Sequence, residues 1–321
     1  RQIQELQQRS MPQCYFCAFQ PAIDSADMGP EDWNRIAEAI VRNYYDYDGF
    51  VVIHGTDTMA YTASALSFML EQLSKPVILT GSQVPLFEPL SDARQNFLAS
   101  VALAGLADIA EVCVFFAGCL FRGNRVTKVN ATMLKAFDSP CYPVLAEQGI
   151  SLSVHHKRLQ MPPRARFRLQ RISVNEIMVI WIIPGFADSI FEPLLASKKP
   201  PKGIVLLLYG CGCAPNRKES FLKLIAKLVA RGVVVVACSQ CLIGTVALEM
   251  YAVGKAFQEA GVVSAHDMTT EAAVTKMAYL FSKGLSPEEC REKMEENLRG
   301  EVTRDVTTTE IKEPTSGLRA L

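Results

Sequence analysis

The stretch "HGTDT" at residues 54–58 places a histidine, a glycine, two hydroxyls and a carboxylate directly after the apolar run Phe50–Ile53 and before a helix-like segment from Met59. Glycine lets a backbone approach a ligand closely, and a helix start offers unpaired N–H groups and positive potential. Thr56 and Asp57 would then present a hydroxyl and a carboxylate on one tight turn. The same two residue types also cap helices routinely, so capping stands beside ligand handling as a reading of this turn.

Ten cysteines raise a second chemistry. Cys14 and Cys17, and again Cys238 and Cys241, follow a C-x-x-C spacing that fits redox or zinc sites. Cys14 and Cys17 fall in an apolar run that reads as a strand, where residues three apart point to opposite faces. Most of the ten lie in or beside apolar runs and are expected to behave as small buried hydrophobes, without metal, in a reduced intracellular protein.

The elements that must position these groups read as alternating α/β. Trp33, Ile36, Ile40 and Tyr44 recur at helical spacing over 31–47, behind Pro30. Strands are expected at 50–53, 77–79 and 112–116, with helices at 59–73 and 91–106 between them. The segment 151–174 breaks the pattern. It is basic, holds two adjacent prolines, and reads as a linker or solvated surface ribbon, with an anionic partner for residues 157–171 as the other reading. Strands then resume at 177–183, 203–208, 233–237 and 262–263, with helices around Phe221–Leu228 and 268–281. Ser286-Pro287-Glu288-Glu289 carries a cap, a first-turn proline and a reciprocal acid. The expected fold class is α/β, two domains with mostly parallel sheets, a larger one over 1–155 and a smaller one over 175–303. A linker over 156–174 joins them, and a polar tail follows at 304–321.

The 321-residue length suits one large or two ordinary domains, and 33 basic against 33 acidic side chains argue against a dedicated nucleic-acid binder. No apolar run approaches the roughly 20 residues of a membrane span. The chain opens on Arg1 without a secretory leader, so a natural N-terminus further upstream is expected.

Several strings resemble the L-asparaginase family in family order: "IDSADM" at 23–28, "HGTDTM" at 54–59, "KPVILTGSQVP" at 75–85, "SDARQN" at 91–96, "LFRGNRVTKV" at 120–129 and "DMTTEAAVTK" at 267–276. They are most similar to the type I, cytoplasmic branch, and within it to the animal enzymes of the 60 kDa lysophospholipase type that carry ankyrin repeats. The resemblance spans residues 12 to about 303. It implies a flavodoxin-like second domain, cytoplasmic location, no metal or organic cofactor, and a homodimer or homotetramer with shared sites. It also implies hydrolysis of L-asparagine to aspartate and ammonia through a threonine nucleophile assisted by a Thr-Lys-Asp relay, here Thr56, Lys128 and Asp57. Such a trio can move protons if the lysine is tuned by its surroundings. Asp24, Ser25 and Ala26 correspond to the segment that grips the substrate's α-amino and α-carboxylate groups, with the Ala26 N–H as a donor. Ser82 faces the departing amide through its carbonyl, and Tyr251 matches a tyrosine contributed by a neighbouring subunit.

Two departures accompany the match. The family's first threonine, in a "TGGT" segment, is expected ahead of this sequence, together with the first strand of the sheet. Family members also carry Gly-x-Gly-Asn where this chain has "YGCGCAP", which puts Cys213 in the place of the asparagine. These departures keep open a catalytically inactive relative with a structural or interaction role. An ester hydrolase of the lysophospholipase type is a further alternative, although no Gly-x-Ser-x-Gly elbow occurs. A transamidosome subunit would need an additional domain.

Overall fold

The structure is a computed structural model and describes residues 3–174, 176–215, 219–250 and 252–303. Helix α1 spans Pro30–Asn43 and buries Trp33, Ile36, Ala37 and Ile40 on one face. Strand β1 (Phe50–Ile53) leads through the 54–58 turn into α2 (Met59–Met69), then β2 (Leu70–Glu71) and β3 (Val77–Thr80). Next come α3 (Ala93–Leu106), β4 (Val112–Phe116), β5 (Cys119–Arg122), β6 (Thr127–Lys128), β7 (Phe137–Asp138), β8 (Ala146–Gln148), β9 (Leu152–Val154) and β10 (Arg168–Leu169). The second half runs β11 (Ile177–Trp181), α4 (Glu192–Ala196), β12 (Gly203–Leu208), α5 (Glu219–Ala230), β13 (Val234–Ser239), α6 (Ala252–Glu259), β14 (Val263–Ser264), α7 (Thr270–Ser282) and α8 (Pro287–Glu295).

The first sheet has six strands in the order β1-β3-β4-β5-β8-β9. β1, β3 and β4 are parallel, and β5, β8 and β9 continue it antiparallel, with short turns at β4–β5 and β8–β9 and a long excursion through β6 and β7 between β5 and β8. The second sheet, β11-β12-β13-β14, is parallel throughout, as its near-continuous Val/Ile/Leu runs demand. Parallel strands carry their loops at the carboxyl edge, where α/β folds place ligands. The 54–58 turn lies on that edge.

Three local expectations give way. The apolar run at Cys14–Cys17 forms no strand; Cys14 is half-buried and Cys17 exposed. The helix expected over 59–73 stops at Met69, because Leu70–Glu71 is drawn into an antiparallel ladder with Arg168–Leu169 and Gln72 takes a positive φ of 59°. The segment 151–174 is correspondingly less solvated than its composition suggested. Ile172 is fully buried, Phe167 stacks on Tyr44 with ring centroids 3.7 Å apart, and Asn34 Nδ2 donates to the Ile172 carbonyl at 2.7 Å.

Of three apolar clusters among the described residues, the largest joins the two halves. It includes Trp33, Leu66 and Phe68 from the first half and Ala272, Met277 and Leu280 from α7. Helix α2 buries every residue but Tyr61, which leaves it no polar face. Helix α7 packs along it, with Thr275 Oγ1 donating to Ser64 Oγ at 2.8 Å.

Candidate active site

Two neighbouring side chains, Thr56 and Asp57, meet a third that is distant in sequence at the carboxyl edge of the first sheet. Lys128, on the two-residue strand β6, donates from Nζ to Thr56 Oγ1 at 2.9 Å and to Asp57 Oδ1 at 2.6 Å. The lysine side chain is 20% exposed and the Asp57 side chain 66% exposed, so this ion pair opens to solvent. β6 owes its position to its pairing with β7 and to Thr127, whose hydroxyl donates to Glu271 Oε1 at 2.7 Å across from α7. Burial pushes the Glu271 carboxyl up, against hydrogen bonds from Thr127 and Thr269 that pull it down.

The turn carrying Thr56 and Asp57 is fixed from below. His54 is buried; its Nδ1 lies 2.6 Å from the Gly55 carbonyl and its Nε2 2.9 Å from Thr62 Oγ1, and burial holds its pKa below the ordinary value. His54 therefore braces the turn from inside. A Cβ on Gly55 would sit 2.5 Å from Ser25 Oγ, and one on Gly81 would sit 2.2 Å from the His54 carbonyl oxygen. Both glycines are required by close approach: Gly55 brings the 24–27 segment against the turn, and Gly81 brings the end of β3 against it.

That 24–27 segment forms a single 3-10 turn with Ser25 buried in it. Thr58 Oγ1 donates to the Ser25 carbonyl at 2.6 Å and clamps it to the turn. Asp24 and Ala26 are exposed, and the Ala26 N–H donates to Asp24 Oδ1 at 3.0 Å. The N–H read from the sequence as a donor for substrate is thus engaged by Asp24, which acts as the cap of its own turn. Ser82 is half-buried in the loop after β3. Asp92 shapes that loop by accepting from the Gln83 and Val84 N–H groups at 3.0 Å. Tyr251 lies outside the described residues. Sequence reading passed over Thr58, Thr62 and Glu271 as site-building groups. Thr58 and Glu271 stood inside quoted strings, but nothing in their spacing showed what they reach.

Chemically, a lysine held between a hydroxyl and a carboxylate is a proton-transfer unit, and the glycine-lined turn beside it admits a small polar ligand. Among the described residues, no group of three or more His, Cys, Asp or Glu side chains converges as metal ligands would. No described helix is long and apolar enough to cross a membrane.

Known proteins share this arrangement of sequence and fold. Residues 1–160 match the family described as "Asparaginase, N-terminal", and residues 176–294 match "Glutaminase/Asparaginase C-terminal domain". L-asparaginase 1 of Escherichia coli is 46% identical over 305 residues, which is 94% of this chain and 88% of that protein. The 60 kDa lysophospholipase of Mus musculus is 40% identical over 94% of this chain, which spans 53% of that longer protein. The crystal structure of L-asparaginase I from Vibrio cholerae superposes with a TM-score of 0.88 at 43% identity, covering 94% of this chain and 90% of the other.

Proposed function

Because the chain belongs to the asparaginase family, we propose that it is a cytoplasmic L-asparagine amidohydrolase that releases aspartate and ammonia. The observation that carries this reading is the contact of Lys128 Nζ with both Thr56 Oγ1 and Asp57 Oδ1. The side-chain amide is a poor electrophile with a poor leaving group, so it needs an activated hydroxyl and a proton for the departing nitrogen. A threonine distinct from Thr56 attacks the amide carbon, and its proton passes by way of Thr56 and an uncharged Lys128 Nζ to the amide nitrogen, with Asp57 balancing the lysine's charge while it carries the proton. The C–N bond breaks to release ammonia, and water then hydrolyses the acyl-threonine ester to aspartate and restores the hydroxyl.

Substrate orientation falls to the neighbouring turn. Asp24 takes the α-amino group, Ser25 holds the α-carboxylate, and the Ser82 carbonyl accepts from the amide NH2 and so aligns it for departure. Hydroxyl, amine and water carry every proton the reaction moves, so the mechanism invokes no cofactor. Tyr251 would complete the site from a neighbouring subunit, making the working form a homodimer or larger.

The test is coupled ammonia release from millimolar L-asparagine by the natural full-length protein, beside Thr56→Ala, with L-glutamine run in parallel. Release that vanishes in the variant supports the reading. A folded protein that releases none from either amide sinks it, and leaves the scaffold a binding or structural part.

A further inference from the structure

The turn after β12 carries chemistry that amide hydrolysis does not use. Tyr209 and Cys213 face each other across it and exchange both backbone hydrogen bonds, each N–H to the other's carbonyl at 2.8 Å. Gly210, with φ 49°, and Gly212, with φ 109°, let Cys211 stand at the tip of this tight loop. Residues two apart cannot separate by more than ~7 Å even when extended, and a disulfide needs Cα atoms about 4.4–6.8 Å apart. In this turn Gly212 alone separates Cys211 from Cys213, which keeps their backbones within that reach. Both are free thiols, neither buried nor fully exposed.

The surroundings hold this pairing in place. Ser239 Oγ donates to the Gly210 carbonyl at 2.6 Å, and the Ala247 N–H donates to the Cys211 carbonyl at 3.0 Å. A Cβ on Gly212 would meet methyl groups of Val246 and Leu248 at 3.0 and 3.1 Å, so the loop is seated on its neighbours. Cys113, Cys238 and Cys290 are buried by contrast, and burial pushes the Cys238 thiol up to about 12.

We propose that Cys211 and Cys213 form a reversible dithiol–disulfide couple, oxidised by small organic disulfides of the glutathione kind and reopened by the corresponding thiols. Cys211, at the tip, attacks one sulfur of the organic disulfide as thiolate; a Cys211–glutathione mixed disulfide forms and one glutathione thiol leaves. Cys213 then attacks the Cys211 sulfur, closing the Cys211–Cys213 bond and expelling the second glutathione thiol. Two protein thiols are oxidised, one organic disulfide is reduced to two thiols, and the two cysteine protons go to the leaving thiolates. Burial, and then the charge of Cys211, raise the Cys213 thiol, so the second step draws on its intramolecular proximity and not on thiolate character. Closing so short a loop removes little chain entropy from the unfolded state and leaves the bond strained. Strained disulfides are the easily reduced ones, so the couple acts as a switch and not as a staple.

Trypsin releases Gly203–Arg217, a peptide whose only cysteines are Cys211 and Cys213. The native full chain is incubated with oxidised glutathione, alkylated, digested and weighed, with a dithiothreitol-treated portion as reference. The expected result is a ~10-fold or greater loss of doubly alkylated peptide, replaced by a form two hydrogens lighter than the unlabelled dithiol and restored by dithiothreitol. In Cys213→Ser the closed form vanishes and a Cys211–glutathione adduct persists. The proposal is overturned if both thiols stay alkylatable while the exposed Cys17 and Cys241 take up glutathione, or if Cys213→Ser protects Cys211 without an adduct.

Discussion

Two lysine–carboxylate pairs of nearly equal length sit in opposite surroundings in this molecule. Lys128 Nζ lies 2.6 Å from Asp57, with the side chains 20% and 66% exposed. Lys276 Nζ lies 2.7 Å from Glu301, and both side chains are fully buried. Around the second pair every group is engaged. Lys276 also donates to the Met294 and Glu296 carbonyls, and Glu301 accepts from the Leu298 and Arg299 N–H groups. Around the first pair, one lysine proton points at a threonine hydroxyl and the carboxylate meets solvent. Distance alone does not separate an open pair from a sealed one; the completeness of the surrounding shell does. A sealed ion pair has no route for a proton to a substrate, and breaking it leaves a buried charge uncompensated.

The largest expected effect breaks the sealed pair. Lys276→Met leaves Glu301 buried without its cation and should destabilise the fold by about 3–5 kcal/mol. Urea unfolding followed by circular dichroism measures this, and a loss below about 1 kcal/mol would put the pair in the same class as a surface bridge.

Lys128→Met tests the other side. Under the proposed mechanism it lowers ammonia release ~10²–10⁴-fold while the urea midpoint stays within about 1 kcal/mol of the parent. Activity retained with stability lost would invert the comparison.

A third buried cluster sharpens it through pH. Burial raises the Glu71 carboxyl, but hydrogen bonds from Lys283, Tyr279 and Arg168 outweigh that and bring it down to about 2. A carboxyl lowered on folding adds stability that is full above its unfolded pKa near 4.5 and is lost as pH falls towards 2. The expected contribution is on the order of 2–3 kcal/mol, read as a drop in urea midpoint between these pH values that Glu71→Gln flattens. A drop that persists unchanged in that variant would assign the acid sensitivity elsewhere.

The smallest effect concerns the open site's framing. In Gly55→Ala, the added methyl meets Ser25 Oγ, and relief of that overlap should cost about 1–3 kcal/mol. Moving Ser25 away from the turn should raise KM for asparagine more than it lowers kcat. An unchanged KM would remove Ser25 from substrate binding.

Much of the fold was legible because its signals are local. Phe50–Ile53, Val112–Phe116 and Gly203–Leu208 form strands at the residues their apolar runs marked. At α8, Ser286 Oγ accepts from the Glu289 N–H at 3.2 Å and Glu289 accepts from the Ser286 N–H at 2.8 Å, the reciprocal cap its spelling announced. The failures are places where a distant segment overrode local pattern. Leu70–Glu71 left the helix to pair with Arg168–Leu169, and the run at Cys14–Cys17 found no ladder to join. The basic ribbon read as solvated because composition cannot show Phe167 stacking on Tyr44.

By itself, then, the sequence determined the alternation of strands and helices, the turn at the carboxyl edge, and the order of motifs that mark the family. Periodicity, capping and turn chemistry act over a few residues, so they are written where they act. Only the tertiary structure decided that Lys128 reaches back 72 positions to Thr56 while Lys276, in an equally well-matched string, is sealed against Glu301. It also decided that the Ala26 N–H is engaged by Asp24. Those outcomes depend on which side chains the packing of α7 against α2 encloses and which it leaves on the rim, and burial is a property of the assembled neighbours, which no single stretch of sequence carries.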